Sequence, residues 1–497
     1  MIIFSAIFLV GFLVLAFKRL DWALMFLLAA LPAYLIRFSV LGLPFTLLEG
    51  MILISFAVWF LKNTRFKDFL GGKYKVKDFL ANSPFSKKVV SEKRFKYPFG
   101  VEIILLLFIS LLATALGGST PAALGIWKAY FFEPVLLFIL VINIFQGKKD
   151  LERVIWALGC GALGVAAWAI VQKLTGLGIE NPLWAAEGTR RVVSFFGYPN
   201  AVGLYLAPLV ALLLGAVASS HQETHPFLCV YPGKFIKEKC NWATSKTKAF
   251  LLFISILSVL AIFYAHSEGA IIGLVAAFIV CGLLGNKRTR LVVLSFVVVA
   301  IVAIAIIPGG IKLAQQKLTL NDFSGQVRKA QWAETWQMLK GGNRIITGAG
   351  LANYQKAIES YHVPGIFYND GTDKDFRLHV VFNDDYKKKV WRPVEIYLYP
   401  HNIVLNFWTE LGLVGVLLFV WLFVKIIQYS ISSIQYSKKN KDNAGLFLAL
   451  GILGTFIVII VHGLVDVPYF KNDLACMFWV LIALLSLLKL QQKNLSN

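Results

Sequence analysis

Charge is scarce in this chain: only 15% of its 497 residues are Asp, Glu, Lys or Arg, against 58% hydrophobic. A soluble core of that size would still need a polar surface, so the shortage excludes a soluble enzyme, and the apolar excess excludes a disordered tail. Cysteine is scarce as well. The five present, Cys160, Cys229, Cys240, Cys281 and Cys476, show no tight pairing pattern and predict no essential disulfide. Acidic residues are outnumbered, 27 against 49 lysines and arginines, for a net charge of +22. Such an excess would serve nucleic-acid binding only as a soluble basic face, so its location has to be settled first. The first apolar run, Ile2 to Phe17, is followed rather than preceded by Lys18 and Arg19 and has no small-residue cleavage site, so it reads as a retained anchor.

What the chain does have is apolar stretches of about 16 to 25 residues, each close to bilayer-spanning length, recurring from Ile2 to Leu490. Thirteen candidate spans begin near residues 2, 20, 43, 100, 124, 152, 199, 249, 269, 291, 401, 444 and 473. The predicted fold is an all-α, polytopic membrane helix bundle of about 12–13 transmembrane helices. Connections alternate in Lys and Arg, and the rich ones are assigned to the cytoplasm. Segment 62–98 alone carries eleven, and 30 of the 49 basic residues fall on that side. The charge excess is therefore mainly a topology signal.

The outward face is left with three notable pieces: a loop near 175–198, a long segment near 308–400 and a short link near 466–472. A structureless stretch of about 90 residues would be unusual, so the long segment is expected to be partly helical, with Gln326 to Leu339 amphipathic.

Four constellations could carry chemistry. Arg190 and Arg191 stand just before a Gly197-Tyr198-Pro199-Asn200 turn on the outer side, where a guanidinium fork suits phosphate oxygens or, equally, lipid headgroups in general. Arg328 and Trp332 lie one turn apart on the amphipathic helix, as a cation beside an aromatic anchor or as a surface stack. His401 and Asn402 follow Pro400, which places His401 in the first turn of the eleventh span. There the positive helix end disfavours imidazolium, as would nearby arginines, so a neutral imidazole able to accept a proton is expected. Gly412 and Gly415 further along read as close helix-packing positions. His462 and Asp466 share a face at the outer end of the twelfth span and read as an acceptor-binding pair or a structural one. A weaker pattern, His221, His225, Cys229 and Cys240, has zinc-competent side chains but lacks knuckle spacing, and no metal site is assigned to it.

The Arg191-x8-Asn200 segment, the Arg328-x3-Trp332 helix leading to Gly348-x-Gly350, and His401-Asn402-x2-Leu405 followed by Glu410-x-Gly412 resemble the O-antigen ligase and polymerase superfamily. The resemblance runs from about residue 185 to 470. Residues 1–184 would supply N-terminal spans, 185–470 the catalytic region, and 471–497 the last span and a cytoplasmic tail. It implies a glycosyltransferase of the bacterial inner membrane. Such an enzyme moves a glycan from undecaprenyl diphosphate to an acceptor hydroxyl on a glycolipid, glycan or protein at the extracytoplasmic face, with membrane lipid around it and no nucleic acid, metal, nucleotide or other cofactor. Matching arginines, Arg191 and Arg328, would hold the diphosphate and His401 would activate the acceptor, with Arg190, Asn200, Trp332, Asn402, His462 and Asp466 as further binding residues. The sequence departs from the family's common Ser-Arg-Gly at Ser267-Glu268-Gly269, which removes a basic residue. A polysaccharide polymerase is the alternative within the class. A secondary transporter or lipid-linked sugar flippase is the alternative outside it, with Lys128 and Glu133 as its support.

Overall fold

The computed structural model describes residues 2–40, 43–62, 97–219, 229–231, 234–236, 245–371 and 373–494. The basic segment expected at 62–98 lies almost entirely outside the described residues, as do His221, His225 and Cys240 of the metal pattern. Each of the thirteen expected spans coincides with a helix. The first ten are α1 (Ile2–Lys18), α2 (Leu20–Ala29), α3 (Leu47–Lys62), α4 (Gly100–Leu116), α5 (Pro121–Ile144), α6 (Lys148–Thr175), α7 (Pro199–Ser219), α8 (Ser245–Tyr264), α9 (Glu268–Leu284) and α10 (Lys287–Ile306). The long connecting segment contributes α11 (Gly310–Leu318) and α12 (Phe323–Lys340), and the chain finishes with α13 (Ile403–Lys439), α14 (Asn443–Gly463) and α15 (Asn472–Asn494).

Among the described residues, eight of these helices are long and apolar enough to cross a membrane. The protein is thus a polytopic all-α membrane protein. The other five spans are shorter, and α2, with 10 residues, rises only about 15 Å, roughly half the hydrocarbon thickness. The 3₁₀ turn Leu31–Leu35, with Pro32 in its first positions, ends the α-helical run there.

Helix starts follow capping chemistry. Thr120 accepts the Ala123 amide ahead of Pro121, Asn286 accepts that of Thr289, and Asp442 accepts that of Gly445. At the far end of α6, Gly176 takes the left-handed conformation (φ 74°) that closes the helix.

Packing centres on α7 and α14, which cross at Gly215 and Gly451: a Cβ on Gly215 would fall 2.4 Å from the Gly451 Cα. With lipid outside there is no water to drive association, so this backbone-to-backbone approach supplies van der Waals contact instead. α9 and α13 also pack on α14, α15 lies buried against α5, and α10 lies exposed at the periphery beside α9. Within the bundle Lys128 pairs with Glu49, and Lys425 with Glu102, as membrane-embedded charges require.

One end of the bundle gathers the connections around 30–46, 117–120, 175–198, 265–267, 307–402 and 464–471. Hydrogen bonds tie these pieces together: Arg191 to Ala265, Asn402 to Leu464, and Leu351 to Ala113 at the end of α4. The long segment has a small core of its own, Met338, Leu339, Ala349, Tyr354, Ala357 and Ile358, set on Leu405 and Trp408 of α13.

The seat of that core is a break in α13. Gly412 has φ 73° and ψ −173°, and the freed Thr409 carbonyl accepts the Ala349 amide at 2.7 Å. Glu410 accepts the Ala352 amide at 3.0 Å. Gly412 is therefore a docking break rather than the helix-packing position expected from sequence, because its Cα faces the Ile346 carbonyl of the loop. Gly415 is crowded by Leu411 of its own helix. A Cβ at 412 would lie 2.2 Å from that carbonyl oxygen in a backbone region that favours glycine. Gly412→Ala is expected to cost about 3 kcal/mol, read as a lowered Tm of purified protein. Gly125→Ala, where nothing lies within 4 Å, serves as the control, and equal Tm values for the two would contradict the docking role.

Candidate functional site

At the gathered end lies a cavity of about 550 Å³ whose lining includes Arg191, Asn200, His266, Glu268, Lys317, Asp322, Arg328, His462 and Asp466. Five residues singled out from sequence thus meet in one place: Arg191, Arg328, Asn200, His462 and Asp466.

Arg191 is delivered by a loop clamped to α6. Buried Gln172 accepts the amides of Val193 and Ser194 and donates to the Ser194 carbonyl, while the Ser194 hydroxyl donates to Val165. The Arg191 guanidinium donates through Nε and Nη2 to the Ala265 carbonyl (3.3 and 3.1 Å). Burial works against its charge and nearby Glu268 supports it. Its neighbour Arg190 points elsewhere, donating to the carbonyls of Ala185 and Lys173, so it closes the end of α6 and does not line the cavity.

Arg328 comes from the second turn of α12. Its Nε is buried and has no hydrogen-bond partner among the described residues. An orphaned donor on a permanent cation costs free energy unless a ligand meets it, and a fork with a free Nε is what a phosphate group would take. Trp332, one turn on, does not stack on Arg328. Its indole donates to the Pro400 carbonyl at 2.8 Å and so holds the segment that carries His401.

His401 differs from expectation in position. Asn402 accepts the amides of Val404 and Leu405 and is the cap, so His401 precedes the helix instead of lying in its first turn. Asn402 also donates to the Leu464 carbonyl, which makes it a tie between two of the links at this end of the bundle. The His401 backbone is held at φ 45°, an uncommon value for a residue with a side chain. Its ring packs between Tyr397 and Tyr399, with centroids at 5.0 and 4.9 Å.

The protonation of that ring follows from a relay. Gln331 Nε2 donates to the Tyr399 carbonyl (3.0 Å), which fixes the amide so that its Oε1 faces His401 Nδ1 at 3.1 Å. An acceptor there makes Nδ1 the protonated nitrogen and leaves the Nε2 lone pair as the basic site. Burial pushes the imidazole pKa below its ordinary 6.5, Asp466 opposes this and Arg328 reinforces it. Neutrality therefore arises from burial and Arg328. His401 is not among the cavity-lining residues, but the two charges it senses are.

On the opposite wall, Asn200 donates to Asp466 (3.2 Å), whose second oxygen accepts the Val467 amide. His462 is buried with Nδ1 unpartnered among the described residues, and a Cβ on Gly269 would press on its ring. His266, also at the cavity, has its pKa lowered by burial, then Arg191 and Lys173, with Glu268 opposing. Lys317 reaches Glu268 at 2.7 Å and Asp322 at 3.0 Å. The carboxylates hold its ammonium charged against burial, so a lysine from the long segment stands beside Glu268.

Residues 253–420 match the O-antigen ligase family model. No curated protein matches the chain significantly. The O-antigen ligase match contains Arg328, His401 and the docking break at Gly412, whereas Arg191, Asn200, His462 and Asp466 lie outside it and join the site only through the fold. About a third of the chain, within a larger helical membrane bundle, is thus similar to the O-antigen ligase family.

Sequence reasoning passed over Gln331, Lys317 and Asp322. Gln331 did leave a signal: it sits four residues after Val327 and four before Thr335 on the buried stripe of α12, and a polar side chain there needs a specific partner. Lys317 and Asp322 left none beyond being charged.

Proposed function

We propose that the protein transfers a glycan from an undecaprenyl diphosphate carrier to an acceptor hydroxyl at the extracytoplasmic face of the inner membrane. The observation that carries this reading is the buried Arg328 Nε, unpartnered among the described residues, in a cavity shared with Arg191, in a chain whose residues 253–420 match the O-antigen ligase family model. The two guanidiniums hold the diphosphate and meet the charge that grows on it as the sugar leaves, so they bind the transition state better than the ground state.

His401 Nε2 takes the acceptor proton as the acceptor oxygen bonds to the anomeric carbon. The bond from that carbon to the phosphate oxygen breaks, and the electron pair leaves on the lipid diphosphate. Direct displacement inverts the anomeric centre. Asn200 and Asp466 offer an amide and a carboxylate for acceptor hydroxyls, while Trp332 and Asn402 position the His401 segment.

The test is transfer by the reconstituted protein with a defined lipid-diphosphate glycan and a panel of acceptors, followed by product mass. Block transfer to a glycolipid, glycan or protein acceptor with loss of free lipid diphosphate is expected. A ladder growing on the carrier would make the protein a polymerase, and translocation without a new glycosidic bond would make it a transporter.

The relay predicts a pH signature. The reactive form of His401 is the neutral one, so kcat/KM falls as pH drops through a pKa lying below 6.5. Gln331→Glu places a carboxylate against Nδ1, stabilises the imidazolium and moves that acid limb to higher pH. An unmoved limb would remove His401 as the titrating base.

A further inference from the structure

The cavity that presents Arg191 and Arg328 is not electrostatically ready for a diphosphate. Its three permanent cations, Arg191, Lys317 and Arg328, face three carboxylates, Glu268, Asp322 and Asp466. Beyond what the unpartnered Arg328 Nε offers, a dianion or trianion entering a balanced site gains more if a further cation can be released toward it.

The pairings differ in how easily they let go. Among the described residues Asp466 carries no ion pair with the cavity's cations and accepts from Asn200 and the Val467 amide. Asp322 stands at the start of α12 and accepts from Ser324 as well as Lys317. Glu268 is the loose partner: its side chain is 56% exposed, and among the described residues its side-chain hydrogen bonds and ion pair are to Lys317 alone. A solvent-screened ion pair of that kind contributes little and exchanges readily.

Lys317 is built to turn between partners. It lies in the last turn of α11, a short helix that α10 carries at the edge of the bundle beside α9, and its second carboxylate, Asp322, opens the helix that bears Arg328. Letting go of Glu268 while keeping Asp322 leaves the ammonium tethered beside the Arg328 wall. From the same proposed function, we infer that Lys317 is a third cation for the diphosphate, held in reserve by Glu268, and that Glu268 sets donor affinity by competing with the ligand for it.

The competition predicts opposite signs for two substitutions, which a purely structural ion pair cannot give. Full-length protein in nanodiscs is titrated with farnesyl diphosphate and, separately, farnesyl monophosphate. Lys317→Met is expected to weaken diphosphate binding about tenfold, Glu268→Gln to tighten it about threefold, and Lys317→Arg to stay within twofold of the parent. The monophosphate, with one charge centre for the arginines, is expected to respond less to all three. If Lys317→Met leaves diphosphate affinity unchanged, or both Lys317→Met and Glu268→Gln weaken it, the inference is wrong and the pair is only a clamp. If the parent protein binds diphosphate and Arg328→Ala weakens this about a hundredfold while Lys317→Met does nothing, the functional reading survives without the third cation. Failure of the parent to bind diphosphate at all would overturn both.

Discussion

His401→Ala is expected to lower the turnover of glycan transfer about a thousandfold, in the range that loss of a general base produces, with the donor KM nearly unchanged. The expectation rests on three features of one residue. Its Nδ1 proton is directed to Gln331, so the Nε2 lone pair is the free basic site. Burial keeps the ring neutral. Its backbone is held in a conformation that has to be stabilised by the surroundings, here by the Trp332–Pro400 and Asn402–Leu464 hydrogen bonds on either side. The competing base is His266, which lines the cavity directly and is also kept neutral by burial. Steady-state kinetics of the two alanine variants decide between them. Should His266→Ala lose the turnover and His401→Ala keep it, the proton acceptor is the cavity-wall histidine.

Arg328→Ala is expected to reduce kcat/KM for the lipid-diphosphate donor about a hundredfold, since a charge-assisted hydrogen bond in a buried site contributes about 1.5–3 kcal/mol and 1.4 kcal/mol is a factor of ten. Arg191→Ala should cost less, about tenfold, because that guanidinium already gives Nε and Nη2 to the Ala265 carbonyl and has only part of its fork to offer. Arg328→Lys should recover only a small part of the loss: an ammonium restores the charge but not the two-pronged geometry. Donor-concentration series with each variant test this order. A larger loss at 191 than at 328 would mean that the diphosphate sits against the α6 side of the cavity instead. Arg190→Ala should leave donor KM unchanged and lower Tm, as its contacts are to Ala185 and Lys173.

Membrane class, helical architecture and the order of the spans were legible in the sequence because each depends on local quantities: the length of an apolar run, the caps that flank it and the basic residues beside it. The same locality made Arg191, Arg328 and His401 visible, since permanent charge or a titratable ring beside a span is costly wherever it occurs. Local patterns could not say which of two adjacent arginines turns inward. Arg190 and Arg191 are separated by the direction the chain takes after Gln172 grips Ser194, a contact across 22 residues.

The site itself was decided by tertiary structure. Asn200 meets Asp466 across 266 residues, Gln331 meets His401 across 70, and Lys317 meets Glu268 across 49. The break at Gly412 reads in sequence as a packing glycine, and only the arrival of the Gly348–Gly350 turn shows that the helix is opened to receive it. Sequence by itself determined that this is a helical membrane protein and which connecting residues carry charge, because hydrophobic length and charge bias act over single segments. Which of those charges face a common cavity, which are already neutralised and which nitrogen of His401 is basic were decided only by the fold, because hydrogen bonds and ion pairs depend on ångström distances between segments far apart in the chain.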